Sequence, residues 1–147
     1  MFTKAGLVDE EEREKERLTF GPVCNQPEYQ RKRYGKMLME YSFEKAAALG
    51  YDAIVIFGNP GNYVARGFKS CKKYNICIEN GLYPAAMMVK ELGKDVFDGR
   101  KWTYYDSPVM QIDEADAQRF DDVLEKMEKR NQPSQEEFYI LSSSYVQ

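Results

Sequence analysis

Val23-Cys24-Asn25-Gln26-Pro27-Glu28-Tyr29-Gln30-Arg31-Lys32-Arg33-Tyr34-Gly35 decides how the chain folds, because a strand ends and a helix begins within these residues. Arg17 to Val23, rich in Leu, Thr, Phe and Val, reads as the strand. Pro27 stops it, since a proline donates nothing to a ladder and steers its predecessor away from the helical region. From Arg31 to Leu49 the residues Tyr34, Met37, Leu38, Tyr41, Ala48 and Leu49 recur at helical spacing, with Lys36, Glu40 and Glu44 opposite. That spacing predicts an amphipathic helix packed through its aromatic and aliphatic side and ended by a left-handed Gly50. A strand-to-helix junction aims unpaired backbone N–H groups at one spot, and the helix dipole adds about half a positive charge there. Arg31, Lys32, Arg33 and Lys36 are unfavourable in such a first turn unless an anion sits on it, so their presence marks an anion site.

Outward from this stretch, Phe2 to Val8 is apolar-rich and Asp9 to Glu14 wholly charged, so with Arg17 to Val23 they predict a hairpin. Ala53 to Phe57 is a continuous apolar run, expected of a strand buried on both faces. Strand, helix and strand therefore succeed one another as in a right-handed crossover or a splayed relative of it. Gly58 to Gly61 is a turn, Asn62 to Ala65 a short helix, and Ala85 to Leu92 a further strand. Asp113 to Lys129 is expected to be helical, with Phe120, Val123, Leu124 and Met127 on one face. Residues 131–147 carry no assignable pattern, and there is no internal repeat or low-complexity linker.

With 147 residues, 43% hydrophobic and 14% aromatic, the chain can bury one core. Its formal charge of -3 argues against a general nucleic-acid binder. Basic residues nevertheless gather at Arg31, Lys32, Arg33 and Lys36 and again at Arg66, Lys69, Lys72 and Lys73, which suggests a small polyanion held between the two groups. No apolar run reaches the ~18 residues of a membrane span, and Met1 to Glu12 lacks the order of a secretory signal. Cys24, Cys71 and Cys77 are odd in number and form no C-x-x-C pair, so neither a disulfide framework nor a metal site is indicated and a cytoplasmic location is expected. The absence of histidine removes Ser-His-Asp and Cys-His catalysis and the H-E-x-x-H zinc site.

Gln30-Arg31-Lys32-Arg33-Tyr34-Gly35 resembles the acetyl-coenzyme A signature of the GNAT N-acetyltransferase superfamily: Gln or Arg, two variable residues, Gly, one variable residue, Gly or Ala. The match gains weight from three later stretches of the chain: Ala48-Leu49-Gly50-Tyr51, the buried strand, and Tyr63-Val64-Ala65-Arg66-Gly67-Phe68, which is similar to the family's Tyr-x-x-x-Gly-Phe. The order agrees over Met1 to Leu92. The resemblance implies an α/β fold with a mixed, mostly antiparallel sheet flanked by helices. It also implies a partial acetyl-CoA-binding core at 1–92 and a C-terminal extension at 93–147 with one helix packed on the same domain. Two departures stand out. Arg33 occupies the position of the first motif glycine, and the family's opening strand, two helices and strand have no counterpart before the hairpin. The first strand is thus expected to lie open along Phe2 to Val8, an edge on which a homodimer could form.

The resemblance further implies acetyl transfer from acetyl-CoA to an amine of a small molecule or protein. The backbone of Val23, Cys24 and Asn25 would bind the acetyl and pantetheine amides. Gln30, Arg31, Lys32, Arg33, Tyr34, Gly35 and Lys36 would hold the pyrophosphate, and Tyr63 would protonate the leaving thiolate. No metal, membrane or nucleic acid is implied. The residues leave the general base open, Glu16 and Glu28 having no evident pocket, and leave Trp102, Tyr104 and Tyr105 either lining an acceptor pocket or packing. An alternative is a noncatalytic coenzyme-A-binding or interaction module without its acceptor-binding half.

Overall fold

The structure, a computed structural model, describes all residues from Met1 to Gln147. In chain order it contains β1 (Phe2–Asp9), β2 (Glu14–Phe20), α1 (Tyr34–Ala48), β3 (Ala53–Phe57), α2 (Pro60–Tyr63), β4 (Lys69–Ser70), β5 (Ile76–Cys77), β6 (Met87–Glu91), β7 (Trp102–Tyr105), α3 (Glu114–Asp122) and α4 (Pro133–Ser142). The strands form one sheet in the order β4-β6-β3-β2-β1-β7-β5. β1 and β2 form the expected hairpin, in register from Phe2↔Phe20 to Val8↔Glu14, but its second strand runs from Glu14 to Phe20 and not from Arg17 to Val23, because the pairing with β1 begins at the tight turn and runs out at Phe2. Its turn is tied by the buried Asp9, whose Oδ1 accepts from the N–H groups of Glu11 and Arg13, both at 2.9 Å, while Oδ2 accepts from Arg13 Nε at 2.9 Å. Burial alone would raise the Asp9 carboxyl, but those N–H groups and the Arg13 guanidinium outweigh it and hold the carboxyl below its ordinary value.

β3 explains its own sequence. Ala53 and Val55 enter a cluster with Leu7, Met87, Val89, Phe97 and Trp102 on one face of the sheet. Ile54 and Ile56 enter a second cluster with Leu18, Met39, Phe43, Ala46, Phe68 and Met88 under α1 on the other. Both faces of this strand are covered, so it shows no alternation. β2 runs parallel to β3, as a crossover through α1 requires, but the two strands share a single pair, Leu18↔Ile54. Past that pair they part.

Three expectations about α1 and β1 are corrected. Helix α1 starts at Tyr34, not Arg31, because Arg31 and Arg33 adopt φ of 61° and 67°. It also packs through the opposite side: Met39, Phe43 and Ala46 are buried, whereas Tyr34, Met37, Leu38, Tyr41 and Leu49 are exposed. Apolar residues occur on both sides of this helix, and the Phe43 ring wins the core position by fitting between Phe68 at 5.7 Å and Phe20 at 6.5 Å. Finally, β1 is not an open edge along its length. Gly6 to Asp9 pair antiparallel with Trp102 to Tyr105, so only the stretch before Gly6 lacks a neighbour on that side, which weakens the basis for an edge-to-edge dimer.

Residues after 92 contribute more than a helix. β7 joins the sheet, with Trp102 buried and its Nε1 donating to the Phe97 carbonyl at 3.0 Å. Two helices follow, α3 shorter than the expected 113–129 and α4 in the stretch that carried no pattern. Phe120, Val123, Leu124 and Met127 are all exposed. The chain end returns to the body through an isolated bridge, Pro84↔Tyr145, and an Asn59–Glu137 hydrogen bond of 3.2 Å.

Since Phe43 and not the Leu38 side of α1 faces the sheet, Phe43→Ala is expected to cost about 3–5 kcal/mol of stability and Leu38→Ala less than about 1 kcal/mol. Urea denaturation of the two variants checks this, and similar losses in both would show that the Leu38 side is also packed.

Candidate functional site

Beyond Phe20 the chain leaves the sheet through Val23, Cys24 and Asn25 and turns through Pro27–Tyr29 into the basic run. The turn is clamped from within. Gln30 Nε2 donates to the Asn25 carbonyl at 3.1 Å, and the Tyr29 N–H donates to the Gln26 carbonyl at 2.9 Å. A Cβ on Gly35 would stand 3.0 Å from Asn25 Nδ2, so the small residue at this position lets the strand end lie against the first turn of α1. Gln30 and Gly35 are therefore shaping residues of the loop, and Gln30 has its amide engaged in doing so.

What the loop shapes is a set of donors. Arg31 and Arg33 are left-handed while Lys32 between them is not. Such alternation turns successive N–H groups toward a common concavity. None of the N–H groups from Arg31 to Lys36 has a hydrogen-bond partner within the chain; the first bond of the helix is Met37 N–H to the Arg33 carbonyl at 3.0 Å. The side chains of Arg31, Lys32 and Arg33 are exposed and form no ion pair, although Lys32 lies 5.6 Å from the Tyr29 ring centre. Unpaired donors, the positive end of a 15-residue helix and the basic side chains of Arg31, Lys32, Arg33 and Lys36 coincide here, an arrangement suited to phosphate oxygens.

Next to this loop lies a groove of about 510 Å³, lined on the α1 side by Lys36, Glu40 and Phe43 and on the other by Gly61, Asn62, Ala65, Arg66 and Lys90. Three cations face one acid, and that acid is Lys36's own partner at 3.5 Å. Arg66 joins Lys36 across the groove as the two basic groups of the sequence suggested, but Lys69, Lys72 and Lys73 do not line it. Lys90 also lines the groove, though in sequence it is only a charge that follows the apolar Ala85–Val89 run beside Glu91. Its Nζ donates to the Arg66 carbonyl at 2.8 Å and lies 5.3 Å from the Phe43 ring centre.

Tyr63 ends α2, the turn after β3. Its ring packs against Phe20 at 6.1 Å and Phe68 at 5.8 Å, bridging the parted strands, and its hydroxyl has no hydrogen bond within the chain. Gly58 makes room for it, since a Cβ there would come within 2.7 Å of Tyr63 Cε2. Of the remaining sequence candidates, Val23 is half-buried, Cys24 exposed and Asn25 half-buried, in line between Phe20 and the donor loop. Glu16 is ion-paired with Lys4 at 2.9 Å, and Glu28 is an exposed residue of the turn. Burial pushes the Cys71 thiol up to about 11, which leaves it unreactive. No group of His, Cys, Asp or Glu is arranged to hold a metal ion.

The fold has a known counterpart. The family model of the acetyltransferase (GNAT) family matches residues 5–70, which spans the hairpin, the donor loop, α1, β3 and Tyr63. Among solved structures, the crystal structure of the GNAT family N-acetyltransferase YhbS from Escherichia coli in complex with CoA is similar, with a TM-score of 0.60 and 20% identity over 71% of this chain. The present chain covers 58% of that protein's length. No curated protein matches.

Arg33 holds a left-handed conformation that costs a residue with a Cβ about 1–2 kcal/mol, and its side chain makes no bond in return. Arg33→Gly is expected to raise stability by roughly 0.5–1 kcal/mol, whereas Arg33→Ala brings no such gain. Thermal unfolding of both variants without ligand measures this, and a destabilised Arg33→Gly would contradict the strain.

Proposed function

On the premise of a GNAT fold and a GNAT family match over residues 5–70, we propose that the chain binds acetyl-CoA and transfers its acetyl group to an amine. The observation that carries this is the run of unpartnered N–H groups from Arg31 to Lys36, opening onto a groove lined by Lys36, Arg66 and Lys90. Pyrophosphate oxygens would accept from the donor loop, and the arm of the cofactor would lie in the groove and reach the gap between β2 and β3. Support for a coenzyme as ligand also comes from the similar YhbS structure, which is in complex with CoA.

In the transfer the amine nitrogen attacks the thioester carbon, and the C–N bond forms as negative charge develops on the carbonyl oxygen. N–H groups of the Val23–Asn25 segment would donate hydrogen bonds to that oxygen. The tetrahedral species then breaks its C–S bond, and the thiolate takes a proton from the Tyr63 hydroxyl, phenols and thiols being of similar acidity. The nitrogen releases its extra proton to water, Glu16 being paired with Lys4 and Glu28 exposed on the turn, and the Tyr63 phenolate regains a proton from water. The protein would work in a reducing, cytoplasmic setting, where Cys24, Cys71 and Cys77 stay as thiols.

Turnover with a panel of amines, monitored by release of free CoA thiol, tests the reading. Tyr63→Phe is expected to lower kcat by about a hundredfold while leaving the KM for acetyl-CoA within about twofold. Acetyl-CoA binding without turnover on any amine would instead establish the noncatalytic coenzyme-A-binding module.

A further inference from the structure

A second opening lies at the end of β3. On the face of the sheet opposite α1, a cleft of about 380 Å³ is lined by Phe57, Ile78, Glu79, Asn80, Tyr104 and Asp106. Phe57 is the last residue of β3, and with Ala53 and Val55 it points away from α1, as strand alternation requires. Its ring meets that of Tyr104 at 5.5 Å. Tyr104 belongs to β7, is buried, and its hydroxyl reaches the side chain of Thr19, which precedes Phe20 on β2. The cleft therefore opens at the same end of the parted strands as the basic groove, through the other face.

The two mouths differ in charge. The groove presents Lys36, Arg66 and Lys90. The cleft presents Glu79 and Asp106 and no cation. Asp106 is held in place, because its Oδ1 accepts from the Tyr104 hydroxyl at 2.9 Å and from the Ser107 N–H at 2.8 Å, and neither bond uses Oδ2. Two aromatic rings with a fixed carboxylate and a second acid at the rim form a site for an ammonium group on an apolar stem, through charge and through attraction to the ring faces.

We propose that this cleft is the acceptor site and that it selects a cationic aliphatic amine, one whose methylene chain carries a second ammonium group. The inference depends on the acetyltransferase reading for the word acceptor, though not for the binding itself. A polyanionic donor enters from the basic face and a cationic acceptor from the acidic face, so neither competes for the other's mouth. Glu79, Asn80, Tyr104 and Asp106 all lie beyond the residues matched by the family model, so the specificity is supplied by this chain's own later elements.

The probe is 1,5-diaminopentane, titrated into isotope-labelled protein while the backbone amide signals of Phe57, Glu79 and Asp106 are recorded by NMR. The expected result is saturable shifts at those residues, binding weaker by at least about tenfold for 6-aminohexanoate, and a similar loss for the diamine in Glu79→Gln and in Asp106→Asn. Glu79 is a rim residue that makes no side-chain hydrogen bond, so its variant separates binding from folding. No shift at these residues, equal affinity for 6-aminohexanoate, or full affinity in both variants would overturn the proposal. Acetyl-CoA is titrated into a parallel sample: shifts at Arg31 to Lys36 with none in the cleft on adding diamine reject the cleft and keep the acetyl-CoA site. Cleft shifts with none at the loop keep the cleft and reject the acetyltransferase reading.

Discussion

The parting of β2 from β3 after the single pair Leu18↔Ile54 is the constraint on which the rest of the structure depends. Parallel neighbours joined by one helix would ordinarily zip along their length, because each unmade pair leaves backbone groups to be satisfied elsewhere. Here aromatic side chains border the space instead. Phe20, Tyr63, Phe68 and Phe43 form a chain of ring contacts between 5.7 and 6.5 Å that spans from the end of β2 to the turn after β3. The wedge keeps the strands apart, holds α1 at its distance and leaves openings on both faces. An arm of a ligand can enter such a gap without any strand having to move.

The donor loop is built at a local cost that the fold does not recover. Two arginines sit in left-handed conformations that favour glycine, and basic side chains crowd the positive end of a helix. Strain and repulsion of this kind concentrate where a site is organised for a ligand and not for the stability of the empty protein. A phosphate group placed there would satisfy the free N–H groups and neutralise the repulsion together, so the unfavourable features share one remedy.

How much of this the sequence discloses depends on the range of the interaction. The β1–β2 hairpin, the doubly buried Ala53–Ile56 run and the strand-to-helix junction are governed by neighbouring residues, and all three are readable. The packed side of α1 is not, because apolar residues occupy both sides and only the fit of Phe43 among Phe20 and Phe68 decides between them. Trp102 to Tyr105 read as aromatic residues of uncertain use, since nothing local says that they will pair with Gly6 to Asp9, near the other end of the chain, and cover an edge expected to lie open. In the same way the motif made Arg31 to Lys36 and Tyr63 visible, whereas Lys90 and Asp106 join their sites only when strands distant in sequence meet.

The most direct test of the central idea, that the donor loop and basic groove hold the phosphates of a coenzyme, is a calorimetric titration of acetyl-CoA into the unmodified protein and into an Arg31→Glu, Lys36→Glu variant. The expected result is binding of roughly micromolar strength that the variant weakens by at least about a hundredfold, the loss of one to two charge-assisted hydrogen bonds. Equal affinity in both proteins, or no binding of the unmodified protein at millimolar acetyl-CoA, would contradict it.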